Sequence, residues 1–129
     1  MTGLPRAIKN GELQDTAVVI DAETIIGEKV DVRNYNTMIV YFDYTKGDET
    51  SFELIPKFLQ EVDGEEHQLT QWSNDAAATI TQQSFKLTAT AKSYIVLDVR
   101  GLNIVKIYGD ATAGTPTGTV KVGYTLQSE

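Results

Sequence analysis

Apolar residues alternate with polar ones along most of this chain, and no segment keeps a helical stripe for three turns. Residues 1–15 read as a polar arm, followed by short strands at 17–20 and 24–26. The strongest early strand spans 37–44, with Met38, Val40, Phe42 and Tyr44 on one face. Ile39 and Tyr41 make its other face apolar as well, which predicts a central strand. A turn at 45–48 follows, with Gly47 free to take a positive φ. In 51–60, Phe52, Leu54 and Phe58 align, and Pro56, which has no N–H for a ladder, predicts an edge or a bulge. Asp63-Gly64 signals a hairpin with a return strand over 66–72, and 73–79 reads as a loop or one helical turn.

The second half continues in the same style. Phe85, Leu87 and Ala89 share a face in 84–90, and 92–99 alternates along its length. Arg100-Gly101 predicts a bend into a strand over 102–108. Residues 109–118 carry turn-forming chemistry and read as a loop. The final strand sets Val120, Val122, Tyr124 and Leu126 on one face. Eight or nine strands without intervening helices predict an all-β, single-domain antiparallel β-sandwich of jelly-roll type. Its expected organisation is an N-terminal arm over 1–15 and a sandwich domain over 16–129.

A chain of 129 residues fits one domain with a self-sufficient core. It contains no cysteine, so disulfides and thiolate metal sites are excluded. The formal net charge of −7 repels phosphate and argues against nucleic acid as a partner. No apolar run approaches the ~20 residues of a membrane helix, and the N-terminus lacks the apolar stretch of a signal peptide. Neither a membrane partner nor a signal peptide is therefore expected. Residues 1–11 hold Arg6 and Lys9 and no acid.

Catalytic chemistry has little to stand on. The one histidine, His67, lies in a polar stretch, and no serine occupies a G-x-S-x-G elbow. Neither glycine-rich phosphate motif is present. Acids flank two hairpins: Asp43, Asp48, Glu49 and Glu53 at one, and Glu61, Asp63, Glu65 and Glu66 at the other. They admit three readings, as solvated charge protecting sheet edges, as hard-cation ligands, or as an acid–base pair. Solvated charge is the simplest, and no catalytic residue, metal ligand or cofactor is assigned.

Two surface features carry more weight. Trp72, flanked by Gln71 and Asn74, has the surroundings of a sugar-stacking residue, with Tyr41, Tyr44 and Tyr94 as further candidates. The alternative places its indole at the end of the core. Ile39 and Tyr41, with Ile55 and Leu59 on the next strand, suggest an apolar stripe opposite the core. Such a stripe needs a second contact, either the folded-back arm or another subunit.

Three stretches carry a resemblance: 36–67 (NTMIVYFDYTKGDETSFELIPKFLQEVDGEEH), 82–111 (QQSFKLTATAKSYIVLDVRGLNIVKIYGDA) and 114–127 (GTPTGTVKVGYTLQ). In strand texture they resemble small β-sandwich structural proteins of tailed bacteriophage virions, among them head decoration and other minor virion proteins. The resemblance implies a non-enzymatic, oligomeric virion component made in the host cytoplasm, with a trimer as the expected assembly. Its partners would be the major capsid protein or other virion proteins, with the arm clamping a neighbour. The rival expectation is a carbohydrate-binding module, or a tail-associated adhesion component, using Trp72.

Overall fold

The computed structural model describes residues 8–60, 64–68, 70–74, 79–82, 84–112 and 115–128. They form twelve strand segments and no helix: β1 Ile8–Val18, β2 Thr24–Ile25, β3 Val30–Asp31, β4 Thr37–Thr45, β5 Ser51–Leu59, β6 His67–Gln68, β7 Thr70–Asn74, β8 Thr79–Gln82, β9 Phe85–Leu87, β10 Ala91–Asp98, β11 Ile104–Thr112 and β12 Thr119–Gln127. One sheet has the order β1-β12-β4-β10. The other has the order β2-β11-β5-β6, with β3 also on β11 and β9 on β5. β7 and β8 pair with each other.

The pairing is nested. The first strand pairs with the last, β2 and β3 with β11, β4 with β10, and β5 with β9, all antiparallel. A chain folded back on itself in this way and divided between two sheets is a jelly roll. The expected fold class is therefore the observed one. As the period-2 pattern requires, Met38, Val40, Phe42 and Tyr44 of β4 point inward with Val120, Val122 and Leu126 of β12. From the facing sheet come Phe52, Leu54 and Phe58 of β5 and Val105, Ile107 and Ala111 of β11. Tyr44 and Phe52 stack across the layers, their centroids 5.2 Å apart. Gly101, at φ +80°, lies in the turn between β10, which ends at Asp98, and β11 of the second sheet.

Three local expectations are corrected. The polar arm does not extend to residue 15, because Ile8–Val18 is a strand running antiparallel to β12. Leu13 packs against the core, and Gly11 lies under the Tyr124 ring, where any Cβ would collide with it. The expected loop at 109–118 begins later, since β11 continues to Thr112. Gly109 is there for close packing: a Cβ would come within 2.8 Å of Phe52 and 2.9 Å of Ile26. Pro56 sits neither on an edge strand nor at a bulge. β5 is interior, and on its outer side β9 reaches only Leu54 while β6 begins at Lys57. Pro56 falls in that gap, so its missing N–H interrupts no ladder there.

Candidate functional site

The outer face of the four-stranded sheet follows from the same alternation that fills the core. With Met38, Val40 and Phe42 turned inward, Ile39, Tyr41 and Asp43 must point outward. Tyr94 lies opposite Tyr41, Val96 opposite Ile39 and Lys92 opposite Asp43. On the other flank of β4, Gly123 faces Tyr41 and Lys121 faces Asp43. Tyr41 is 44% exposed, Tyr94 60% and Val96 57%, a concentration of apolar surface rare on one sheet face.

The two tyrosine rings are 6.1 Å apart between centroids and tilted by 49°. Gly123 contributes no side chain, which leaves an open groove of about 460 Å³ between the rings and β12. Asp43, Lys92 and Lys121 stand at one end of it. Asp43 and Lys92 form a loose, exposed ion pair at 3.7 Å. The arrangement offers aromatic stacking, apolar contact and a few charged hydrogen-bonding groups.

The other predicted residues are distributed differently. Ile55 and Leu59 do not extend the Ile39–Tyr41 stripe, because β4 and β5 belong to opposite sheets. Both are buried on the second sheet, apart from the main core cluster. The signal misled because strands joined by a tight turn usually pair, whereas here the connection crosses between layers. Lys9 is exposed on β1. Arg6 lies outside the described residues, as does the side chain of Trp72, whose backbone pairs with Ile80 in β7 and β8. Tyr44 is fully buried and leaves the list of stacking candidates. His67 is exposed, opposite Phe58.

Of the hairpin acids, Glu49 is not solvated charge but a buried carboxylate at the turn between β4 and β5. Tyr44 Oη and the Gly47 N–H (3.0 Å) donate to its Oε2, and the N–H groups of Thr117 (3.1 Å) and Gly118 (2.9 Å) donate to Oε1. Burial pushes this carboxyl up, but the hydrogen bonds from Gly47, Tyr44 and Gly118 outweigh it and hold it at about 2. Burial and the Glu49 charge together push the Tyr44 hydroxyl far up. A Cβ at Gly118 would fall on Glu49 Oε2, so glycine is required there. Glu49 thus ties its own turn to the segment entering β12. The available signal was Tyr44, whose core-facing position demands a buried polar partner.

Glu66 has a comparable role on the second sheet. It accepts from Lys106 at 2.8 Å and from Tyr108 Oη at 2.6 Å. These bonds lower its carboxyl, while burial and the contact with Glu66 push Tyr108 up to about 12. Among the described residues, no group of three or more His, Cys, Asp or Glu is arranged to hold a metal ion.

No protein-family model matches this sequence, and no curated protein matches it. Solved structures do match the fold. The chain is similar to the SPBc2 prophage-derived protein YomS, with a TM-score of 0.64 and 20% identity over 99% of both chains. It is similar also to the PBSX exported protein XepA, with a TM-score of 0.62 and 17% identity, covering 99% of this chain and 40% of that one. A third match is a protein of Bacillus endospore appendages, described as disulfide-linked pili: TM-score 0.52, 9% identity, 100% of this chain and 96% of the other. Identities this low establish a shared fold. A disulfide link has no counterpart here, since this sequence lacks cysteine.

Proposed function

We propose that the protein is a non-enzymatic structural component of a phage particle, specifically a capsid decoration protein that binds the particle surface and neighbouring subunits. The observation that carries this reading is the outer face of the four-stranded sheet, where Tyr41, Tyr94 and Val96 stand exposed beside one another. A surface of that kind is suited to a protein partner. Similarity in fold to two prophage-derived proteins and to an appendage protein supports a structural setting. Location in the virion, with the major capsid protein as partner, follows from this reading.

A second reading has its own observation. The Tyr41–Tyr94 groove, with Asp43, Lys92 and Lys121 at one end, has the chemistry of a saccharide site: aromatic faces for the ring and charged groups for its hydroxyls. The two readings part in one experiment. The purified protein is sedimented with particles of the phage that encodes it, and titrated separately by calorimetry with polysaccharide from the host cell wall. Decoration predicts that the protein pellets with particles and that Tyr94→Asp weakens this by about ten-fold or more. Heat on adding polysaccharide, with no particle binding, overturns decoration in favour of the second reading.

A further inference from the structure

The four-stranded sheet has two free edges, and they are built differently. β1 forms one of them, and its register against β12 shifts twice, between Glu12 and Gln14 and between Gln14 and Ala17. Irregularities of this kind blunt an edge against foreign strands. β10 forms the other. It runs against β4 without interruption from Ala91 to Asp98 and contains neither proline nor glycine. Among the described residues it pairs on one side only. Lys92, Ser93, Tyr94, Val96 and Asp98 along it are all exposed. A long, regular, partly apolar edge is a template for strand addition.

The order of its side chains indicates which strand would fit. The outward face of β10 reads Lys92, Tyr94, Val96, Asp98, with opposite charges at its two ends. We propose that β10 pairs antiparallel with β10 of a second copy of this chain, about a two-fold axis through Ile95. Lys92 then lies opposite Asp98 of the second copy, Tyr94 opposite Val96, and Ile95 opposite its own equivalent. The symmetry makes each charged and each aromatic–aliphatic pair twice, and both are favoured across strands. The neighbouring registers are poorer. Moving the axis one residue toward the C-terminus sets Lys92 against Arg100, and moving it one residue the other way sets Lys92 against Val96.

Lys92 is held only loosely, meeting Asp43 at 3.7 Å in an exposed pair of the kind that is worth little. Asp98 is held more firmly, accepting from the Arg100 backbone N–H at 3.1 Å and from its guanidinium at 3.0 and 2.7 Å. Its side chain is still 60% exposed, so it can meet Lys92 of the second copy while keeping Arg100. The dimer would carry one continuous sheet, with β1-β12-β4-β10 contributed by each copy. It would also bring the two tyrosine grooves onto one face, doubling the surface offered to a particle.

This inference rests on the self-association half of the proposed function, and sedimentation equilibrium over a range of concentrations separates the two. Wild-type protein is expected to show a monomer–dimer equilibrium rather than the trimer implied by the sequence resemblance, because a two-fold pairing closes at two copies. Lys92→Asp and Asp98→Lys, which each set like charges opposite one another, should weaken it by about ten-fold. The double variant should regain wild-type association, and Lys29→Asp, the same charge change at an exposed position away from the edge and the groove, should leave it unaltered. An oligomer indifferent to the single reversals, or a double variant that fails to recover, overturns the β10 pairing alone. A wild-type monomer at every concentration overturns the pairing and self-association together.

Discussion

Val122→Asp is expected to unfold the domain, whereas Lys121→Asp, one position earlier, is expected to leave it folded. Val122 is fully buried on β12, in register with Phe42 on one side and Gln14 on the other. Its neighbours in the layer are Val120 and Leu126, and no cation lies within the core cluster to pair with an introduced carboxylate. An unpaired buried charge costs several kcal/mol, against a total stability of ~5–15 for a domain of this kind. Lys121 points to solvent, so reversing its charge only places a second acid opposite Asp43, at a cost of about 1 kcal/mol or less. Urea titration followed by far-ultraviolet circular dichroism measures both. A cooperative native transition in Val122→Asp would show that the inward and outward faces of β12 have been exchanged.

Glu49→Gln is expected to destabilise the fold by about 3 kcal/mol at neutral pH and to flatten its response to acid. Both carboxylate oxygens accept hydrogen bonds, so an amide placed there turns its NH₂ toward existing donors. The sign of the acid response follows from the depressed carboxyl. Glu49 titrates at about 2 in the folded protein, against an ordinary value of 4.5. It therefore contributes stability that is fully present above about 4.5 and is lost as pH falls from there toward 2. Asp31 and Asp98 are also held at about 2, each first by a hydrogen bond from a neighbouring arginine, but both are exposed and contribute little. The difference between wild type and Glu49→Gln isolates the Glu49 share. Thermal unfolding from pH 7 to pH 2 should show the two curves converging in acid. Curves that stay parallel would remove Glu49 from its structural role.

Most of the fold was legible because alternation of apolar residues directly encodes which face of a strand is buried. β4, β10 and β12 could be read from Met38 to Tyr44, Tyr94 to Leu97 and Val120 to Leu126, and the absence of helical periodicity left a sandwich as the natural architecture. Long-range information was not legible. Nothing local to residues 36–60 distinguishes a hairpin within one sheet from a crossover between two, so the sequence alone places Ile55 and Leu59 beside Ile39 and Tyr41. β1 carries few apolar side chains and is held chiefly by β12, a hundred residues away in the chain, so its sequence reads as an arm. Gly109 and Gly118 look like turn residues in isolation, yet they serve close approach to Phe52 and Glu49.

The candidate site was half visible for the same reason. Tyr41 and Ile39 stood out as apolar residues on the wrong face of a strand, a property of one segment. Their partners Tyr94, Val96 and Gly123 join them only through the β10-β4-β12 register. Glu49 shows the converse, since a hairpin acid with no distinguishing neighbour becomes structural when residues 117 and 118 arrive to donate to it.

The measurement that tests the proposed decoration role most directly is hydrogen–deuterium exchange of the protein free and mixed with the phage particles it is proposed to decorate. Decoration through the four-stranded sheet predicts new protection over 37–45 and 91–98, around Tyr41 and Tyr94, with the second sheet unchanged. Protection confined to β5 and β11, or a bound protein whose β4 and β10 exchange as they do in solution, would contradict it.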